Sequence, residues 1–368
     1  MPVRFVMVGG FLGAGKTTTL ARLARMYASL GKRVGVVTND QAHDLVDTNT
    51  LRKNGLRVEE VPGACFCCRF NDLVACVENL ERSERPDVIL AEPVGSCTDL
   101  VATVIQPLKD LYGGHFQVAP FAVLFKPSHG IRILSQQSAG GFSPKAAYIF
   151  KKQFEEADLI LLNRADELPA VELNNLAQLV AQHYPDVPVL PVSALTGLGF
   201  DTLIAMLEQR GRFGRKILNI DYDIYAEGEA ELGWLNTTAQ ITAERPFDLD
   251  ALLETILAGL ARICHDRGGE VAHLKLIGMD DTGSFAVGNV ISNDTKPVLS
   301  LRSQQTPREA ELIVNARVAL DPAILEQEAR QIVESACAQF GVSAEFRRSQ
   351  SLRPGRPIPT HRYQTAKA

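Results

Sequence analysis

The chain has 368 residues, 46% hydrophobic and 22% charged, the balance of an ordinary globular protein with room for two domains at roughly 150 residues each. A net charge of −5 offers no general basic field to nucleic acid or an anionic membrane, and no stretch approaches the ~18 consecutive apolar residues of a membrane span. The count of seven cysteines is odd, which argues against a disulfide framework, and the apolar N-terminus runs into glycines without a cleavage-type site, so a cytoplasmic location with reduced thiols is expected.

Residues 3–8 form an apolar run that reads as a first buried strand. Lys16 to Leu30 carry helical spacing through Leu20, Leu23, Ala24 and Tyr27, and Gly31 stops the helix. "RVGVVTND" follows as a second strand, then "DVILAE" at 87–92, a helix from about Thr98, "FAVLF" at 121–125, a helix near 144–157 and "ADLILLN" at 157–163. A helix at 169–184, "VPVLPVS" at 187–193 and a helix after Gly199 complete the alternation. Short apolar runs alternating with helices predict an α/β fold, a parallel sheet covered on both faces, over about residues 1–213.

"GRFGRK" at 211–216 reads as a linker, and beyond it the pattern changes. Strand-like "WLNTTAQITA", a helix at 248–266, strand-like "VAHLKLIG", "GSFAVGNVI" and "ELIVNARVAL", a helix at 321–340 and a last strand "SAEFRR" predict a smaller α+β domain at 214–350 with antiparallel strands. Residues 351–368 form a basic, proline-containing tail, read as a solvated, disordered segment.

Chemistry concentrates in the first domain. "GGFLGAGKTT" places Gly10, Gly13, Ala14, Gly15, Lys16, Thr17 and Thr18 between a strand and a helix, the setting a phosphate-binding loop needs. Backbone N–H groups and the helix N-terminus would cradle a β-phosphate, Lys16 would reach the β- and γ-phosphates, and Thr17 would offer its hydroxyl to Mg²⁺. "LILLNRAD" then sets Asn163, Arg164 and Asp166 at the carboxyl end of a strand, where a carboxylate can accept guanine N1–H and N2–H₂, a donor pair that adenine lacks. "VSALTG" brings the Ser193–Ala194 backbone toward the purine edge, with Arg164 standing where an N-K-x-D motif has lysine. Asp40 after the second strand and Glu92 after the third are acids placed to act near Mg²⁺ or an attacking water, and the Gly95 N–H can meet a γ-phosphate.

"GACFCC" packs Cys65, Cys67 and Cys68 into four residues. From extended chain Cys65 and Cys67 would point the same way, and a turn would bring in Cys68. Three thiolates suit Zn²⁺ with one position left open, as delivery of a metal requires, and no fourth cysteine is near enough in sequence for a zinc ribbon. His43 is a further candidate ligand; His129, Cys264 and His265 read as structural or solvated.

"GFLGAGKTT", "ND" after the second strand, C-x-C-C, E-x-x-G and "NRAD…SAL", in this order over about residues 3–210, resemble the CobW-like branch of the metal-linked GTPases that includes UreG and HypB. The resemblance implies a GTPase of low intrinsic rate, and Lys16, Glu92 and Asp40, from their places in the loop and at the strand ends, are the residues expected to carry catalysis. It implies a metallochaperone, often dimeric, that delivers a metal or metal cofactor to a client protein. Ala64 before the first cysteine is a departure from the usual pattern. Two other readings stay open: a GTP-driven loader of a corrinoid-type cofactor, and a small-molecule kinase built on the same loop.

Overall fold

The apolar run after Pro2 becomes strand β1 (Val3–Gly10), which lies inside a parallel sheet because both of its faces are apolar. This computed structural model describes residues 2–39, 57–61, 65–135 and 142–367. Two compact units emerge: residues 1–140, 144–225 and 356–368 form one, residues 141–143 and 226–355 the other.

In the first unit β1 is followed by β2 (Val34–Thr38), β3 (Arg57–Glu60), β4 (Val88–Glu92), β5 (Phe116–Val118), β6 (Ala122–Phe125), β7 (Leu159–Leu162) and β8 (Val189–Pro191), in the spatial order β3-β2-β4-β1-β6-β7-β8 with β5 beside β1. Every pairing is parallel, for example Phe5 with Ile89 and Val8 with Ala122. The chain runs to one side of β1 for β2 and β4 and to the other for β6 and β7, so the carboxyl end of β1 is a switch point where such sheets bind ligands.

Helices α1 (Lys16–Ser29), α2 (Phe70–Glu84), α3 (Gln106–Tyr112), α4 (Pro127–Leu134), α5 (Pro144–Glu155), α6 (Ala170–His183) and α7 (Phe200–Leu207) flank the strands. Val6, Val8, Leu90, Leu124 and Leu161 join Leu20, Leu23 and Tyr27 of α1 and Leu203 and Leu207 of α7 in one core. Strand alternation sends Phe125 the other way, where it meets Phe150 and Phe154 of α5 at ring separations of 5.7 and 5.3 Å. Each fully buried leucine in these layers contributes about 1.5–3 kcal/mol.

In the second unit β9 (Gly233–Thr242), β10 (Val271–Asp280), β11 (Phe285–Val290), β12 (Val298–Leu301), β13 (Glu309–Val318) and β14 (Ser343–Leu352) form an antiparallel sheet in the order β12-β11-β10-β13-β9-β14. Helices α9 (Leu249–Asp266) and α10 (Pro322–Gln339) share its core through Leu252, Leu253, Ile256, Leu260, Val333 and Ala336. Asp248 caps α9 by accepting the Ala251 N–H at 2.9 Å, and Asp321, ahead of Pro322, accepts the Ala323 N–H at 3.0 Å. The short helix α8 (Tyr222–Ala230) carries the chain from the first unit into the second.

The C-terminal tail differs from expectation. Instead of a solvated segment, it belongs from Arg356 onward to the first unit. The Arg362 Nε donates to Asp99 at 2.7 Å, the Tyr363 N–H to the Ala102 carbonyl at 3.0 Å, and the Tyr363 hydroxyl to Asp110 at 2.6 Å. Specific acceptors on the domain hold a segment whose composition alone reads as disordered. No helix of the described residues is long and apolar enough to cross a membrane.

Candidate nucleotide and metal site

The switch point is lined by the loop between β1 and α1. Gly10 ends β1, Gly13, Ala14 and Gly15 turn the chain, and Lys16, Thr17 and Thr18 form the first turn of α1. Gly15 has φ +94°, and a Cβ there would lie 2.4 Å from Asn163 Nδ2, so only glycine allows this turn to press against β7's end. Lys16 is buried and points back over the loop, its Nζ 3.5 Å from the Phe11 carbonyl. The sequence reading missed Lys126, a fully buried cation just past β6 whose Nζ donates to the Leu12 carbonyl at 3.0 Å. The only sequence signal for it is a lysine directly after an apolar strand.

Asn163 joins two loops. Its amide donates to the Ala14 carbonyl at 2.7 Å and its carbonyl accepts the Ala194 N–H at 3.0 Å, so one buried side chain ties the phosphate loop to the "SAL" loop. Ser193 is buried, and its hydroxyl accepts the Thr196 N–H at 3.0 Å; the Ala194 carbonyl accepts from Arg22 Nε at 2.7 Å. Arg164 adopts a left-handed backbone, φ +64°, and pairs with Glu167 at 2.8 Å. Asp166 is exposed, in the short turn at Ala165–Glu167.

Thr17 and Glu92 meet. The Thr17 hydroxyl donates to Glu92 Oε1 at 3.0 Å, linking the end of the phosphate loop to the carboxyl end of β4. Beyond Glu92 the chain passes close over the loop: a Cβ at Gly95 would lie 2.9 Å from both Lys16 Nζ and the Leu12 nitrogen. Gln153 of α5 holds this crossing by donating to the Gly95 and Cys97 carbonyls, each at 2.9 Å. Asp40 and His43, together with Gly63 and Ala64, lie outside the described residues.

Among the described residues, Cys65, Cys67 and Cys68 form one group whose sulfurs all lie within 4.8 Å of one another. The separations are 2.9 Å (Cys65–Cys67), 3.3 Å (Cys65–Cys68) and 3.8 Å (Cys67–Cys68). An extended chain does not produce this convergence. The Cys68 and Arg69 N–H groups both return to the Cys65 carbonyl at 3.0 Å, closing a turn that leads directly into α2. A turn brings all three sulfurs to one side, whereas the i, i+2 projection of a strand aligns only the first two.

Cys65 and Cys67 are buried and Cys68 is half-buried. The Cys65 thiol is held well below its ordinary pKa because Cys67, Cys68 and Cys97 hydrogen-bond to it. The same bonds push Cys67 well up, and Cys68 rises to about 11 through its bond to Cys65. A bound cation would favour the deprotonated form of all three thiols. The tail lies over the cluster: the Thr360 N–H donates to the Cys67 carbonyl at 2.8 Å and its hydroxyl to the Cys68 carbonyl at 3.1 Å. His129 is fully buried and burial holds it neutral; Cys264 is buried in the second unit's core, and His265 is largely exposed.

The chain is 29% identical over 168 residues to the zinc chaperone YeiR of Escherichia coli, covering 44% of this chain and 46% of that one. It is 28% identical over 225 residues to the zinc chaperone CobW of a Sinorhizobium species, covering 53% and 62%. It is 27% identical over 227 residues to the urease accessory protein UreG 2 of Streptomyces griseus, covering 58% and 88%. The chain thus spans about half the length of YeiR and under two thirds of that CobW. Residues 4–191, which hold the phosphate loop, the thiol cluster and the Asn163 crossing, match the nucleotide-binding domain described as CobW/HypB/UreG, and the chain belongs to that family.

Proposed function

We propose that this chain is a GTP-binding and GTP-hydrolysing metallochaperone that holds Zn²⁺ on Cys65, Cys67 and Cys68 and passes it to a metal-dependent client protein. The observation that carries this reading is the convergence of three thiols within 4.8 Å of one another. Thiolate sulfur is soft, and a three-sulfur set is a partial tetrahedron that suits zinc. The names of YeiR and CobW as zinc chaperones support zinc as the cargo.

In this reading the phosphate loop carries the nucleotide. Gly10 to Thr18 cradle the phosphates, with Lys16 reaching the β- and γ-phosphates. Thr17 and Glu92 present hard oxygen donors 3.0 Å apart and suit Mg²⁺, which neutralises phosphate charge when bound. Asp166 is exposed to accept the guanine edge, and Asn163 braces the Ser193–Ala194 loop beside it. Glu92, with Asp40, would position the attacking water, at the low intrinsic rate expected where catalysis is positioning and charge alone. A cytoplasmic, dimeric protein is the form in which we expect this activity.

Zinc titration of metal-free wild type and Cys67→Ser, each followed by GTP-analogue binding, tests the reading. Wild type should take up about one Zn²⁺ per chain, with affinity rising with pH as thiols ionise. Cys67→Ser should lose most of that affinity and keep GTP binding. Undiminished zinc binding by Cys67→Ser overturns it.

A further inference from the structure

The phosphate loop contains a tight turn whose middle peptide can face two ways. The Ala14 N–H donates to the Phe11 carbonyl at 3.1 Å, closing a four-residue turn over Phe11–Ala14. Gly13, the third residue of the turn, has φ +71°, and Leu12 before it keeps a negative φ, the combination of a type II turn. Types I and II differ by turning over the middle peptide, here the Leu12 carbonyl and the Gly13 N–H. In a planar trans peptide these two groups point in opposite directions, so fixing one fixes the other.

Lys126 fixes the carbonyl. Its Nζ donates to the Leu12 carbonyl at 3.0 Å, and its side chain is fully buried. Lys126 itself has little freedom. It stands before Pro127 at the start of α4 with the extended backbone that a following proline favours, φ −98° and ψ 106°. Its carbonyl accepts the Gly130 N–H at 2.9 Å, and Phe125 before it packs between Phe150 and Phe154. Asn163, at the end of β7, holds the Ala14 carbonyl in the same manner at 2.7 Å. Two side chains from the paired strands β6 and β7 thus draw alternate carbonyls of the loop toward the ends of those strands. The Gly13 and Gly15 N–H groups, on the far sides of the same peptides, are turned the other way.

Resting on the nucleotide site proposed above, we infer that Lys126 is a positioning residue for phosphate binding. It holds the Leu12–Gly13 peptide in the orientation that points the Gly13 N–H into the loop, where it donates to the β-phosphate. With that peptide turned over, the Leu12 carbonyl oxygen would face the phosphate, and an acceptor would meet an anion. A charged donor suits the task, because ion-assisted hydrogen bonds are about twice as strong as neutral ones. Lys126 touches no reacting atom in this arrangement. Its work is to set the loop before the nucleotide arrives, so that binding costs no rearrangement of the peptide.

Lys126→Met, close to lysine in length and without a donor, tests the inference. Affinities for GDP and for a non-hydrolysable GTP analogue should each fall about tenfold or more, the loss expected from one charge-assisted hydrogen bond. The preference for GDP over ADP should stay, because the base contacts are untouched. A lysine that only filled the core would change stability and leave the saturated complex alike in the two proteins. The deciding readout is therefore ³¹P NMR of GDP at saturation. The β-phosphorus resonance should move between wild type and Lys126→Met while the α-phosphorus stays in place. If the variant does not fold, wild type decides: its Gly13 amide proton should move downfield when GDP binds, and an amide unchanged by GDP overturns the inference. Failure of wild type to bind GDP overturns the nucleotide reading itself, whereas an unmoved β-phosphorus resonance overturns only the role of Lys126.

Discussion

Replacing Asn163 by alanine removes one side chain and breaks two loops apart. The Ala14 carbonyl loses its bond at 2.7 Å and the Ala194 N–H its bond at 3.0 Å, at a position only 4% exposed. Each buried backbone group left without a partner costs about 1–3 kcal/mol, so two cost about 2–6 kcal/mol, less whatever an entering water restores. We expect a loss of about 2–5 kcal/mol, large beside the 5–15 kcal/mol of a typical domain. The assay is chemical denaturation followed by far-UV circular dichroism. The protein's single tryptophan, Trp234, lies in the second unit, so its fluorescence reports on the wrong place. Asn163→Asp is the informative companion: its carboxylate can still accept the Ala194 N–H but cannot donate to the Ala14 carbonyl. It should fall between wild type and alanine, or below alanine if the carboxylate repels that carbonyl. A midpoint shift worth less than about 0.5 kcal/mol for Asn163→Ala would refute the brace and return Asn163 to the rank of an ordinary loop residue.

Three further outcomes follow from named contacts. Asp166→Asn should weaken GTP binding and improve xanthosine triphosphate binding, because xanthine replaces the N2 donor with an acceptor; unchanged preference for GTP over ATP in competition binding would remove Asp166 from the base site. Glu156, completely buried, accepts the Val101 N–H at 2.8 Å and the Thr98 hydroxyl at 3.2 Å, and burial raises its pKa from 4.5 to about 8, with Asp99 adding repulsion. The folded protein then holds a proton that the unfolded chain releases, so this stability is complete below pH ~4.5 and is lost as pH rises through ~8, at roughly 1.4 kcal/mol per unit. Denaturation midpoints for wild type and Glu156→Gln, compared from pH 5 to 9, should diverge in the variant's favour as pH rises, and parallel curves would contradict the assignment. Ending the chain at Gly355 removes the Thr360 bonds to Cys67 and Cys68 and should make Cys68 react several-fold faster with an aromatic disulfide, whereas an unchanged rate would mean that the tail shields nothing.

The phosphate loop and the Asn163–Asp166 turn were legible as local spacing patterns, and the C-x-C-C run as a group of three thiols, although a turn rather than the expected extended chain gathers the sulfurs. The alternating apolar runs likewise predicted the parallel sheet and the antiparallel second unit. Elements with weak or polar patterns escaped. Strand β3, Arg57–Glu60, is a short, charged edge strand, and β12, Val298–Leu301, is a mostly exposed one. Helix α2 did carry a signal in Phe70, Leu73, Val74, Val77 and Leu80, all on its buried face. The tail was misread because its anchors, Thr360 to two cysteine carbonyls and Arg362 to Asp99, are individual bonds that basic composition does not encode.

A metallochaperone that uses GTP requires zinc affinity to follow the bound nucleotide, and a zinc titration of wild type with GDP and with a non-hydrolysable GTP analogue tests that requirement most directly. The two zinc affinities should differ by about 5- to 150-fold, and zinc should change the ratio of the two nucleotide affinities by the same factor. Superimposable zinc curves for the two nucleotides would contradict the account, leaving a metal site and a nucleotide site that share a domain but do not communicate.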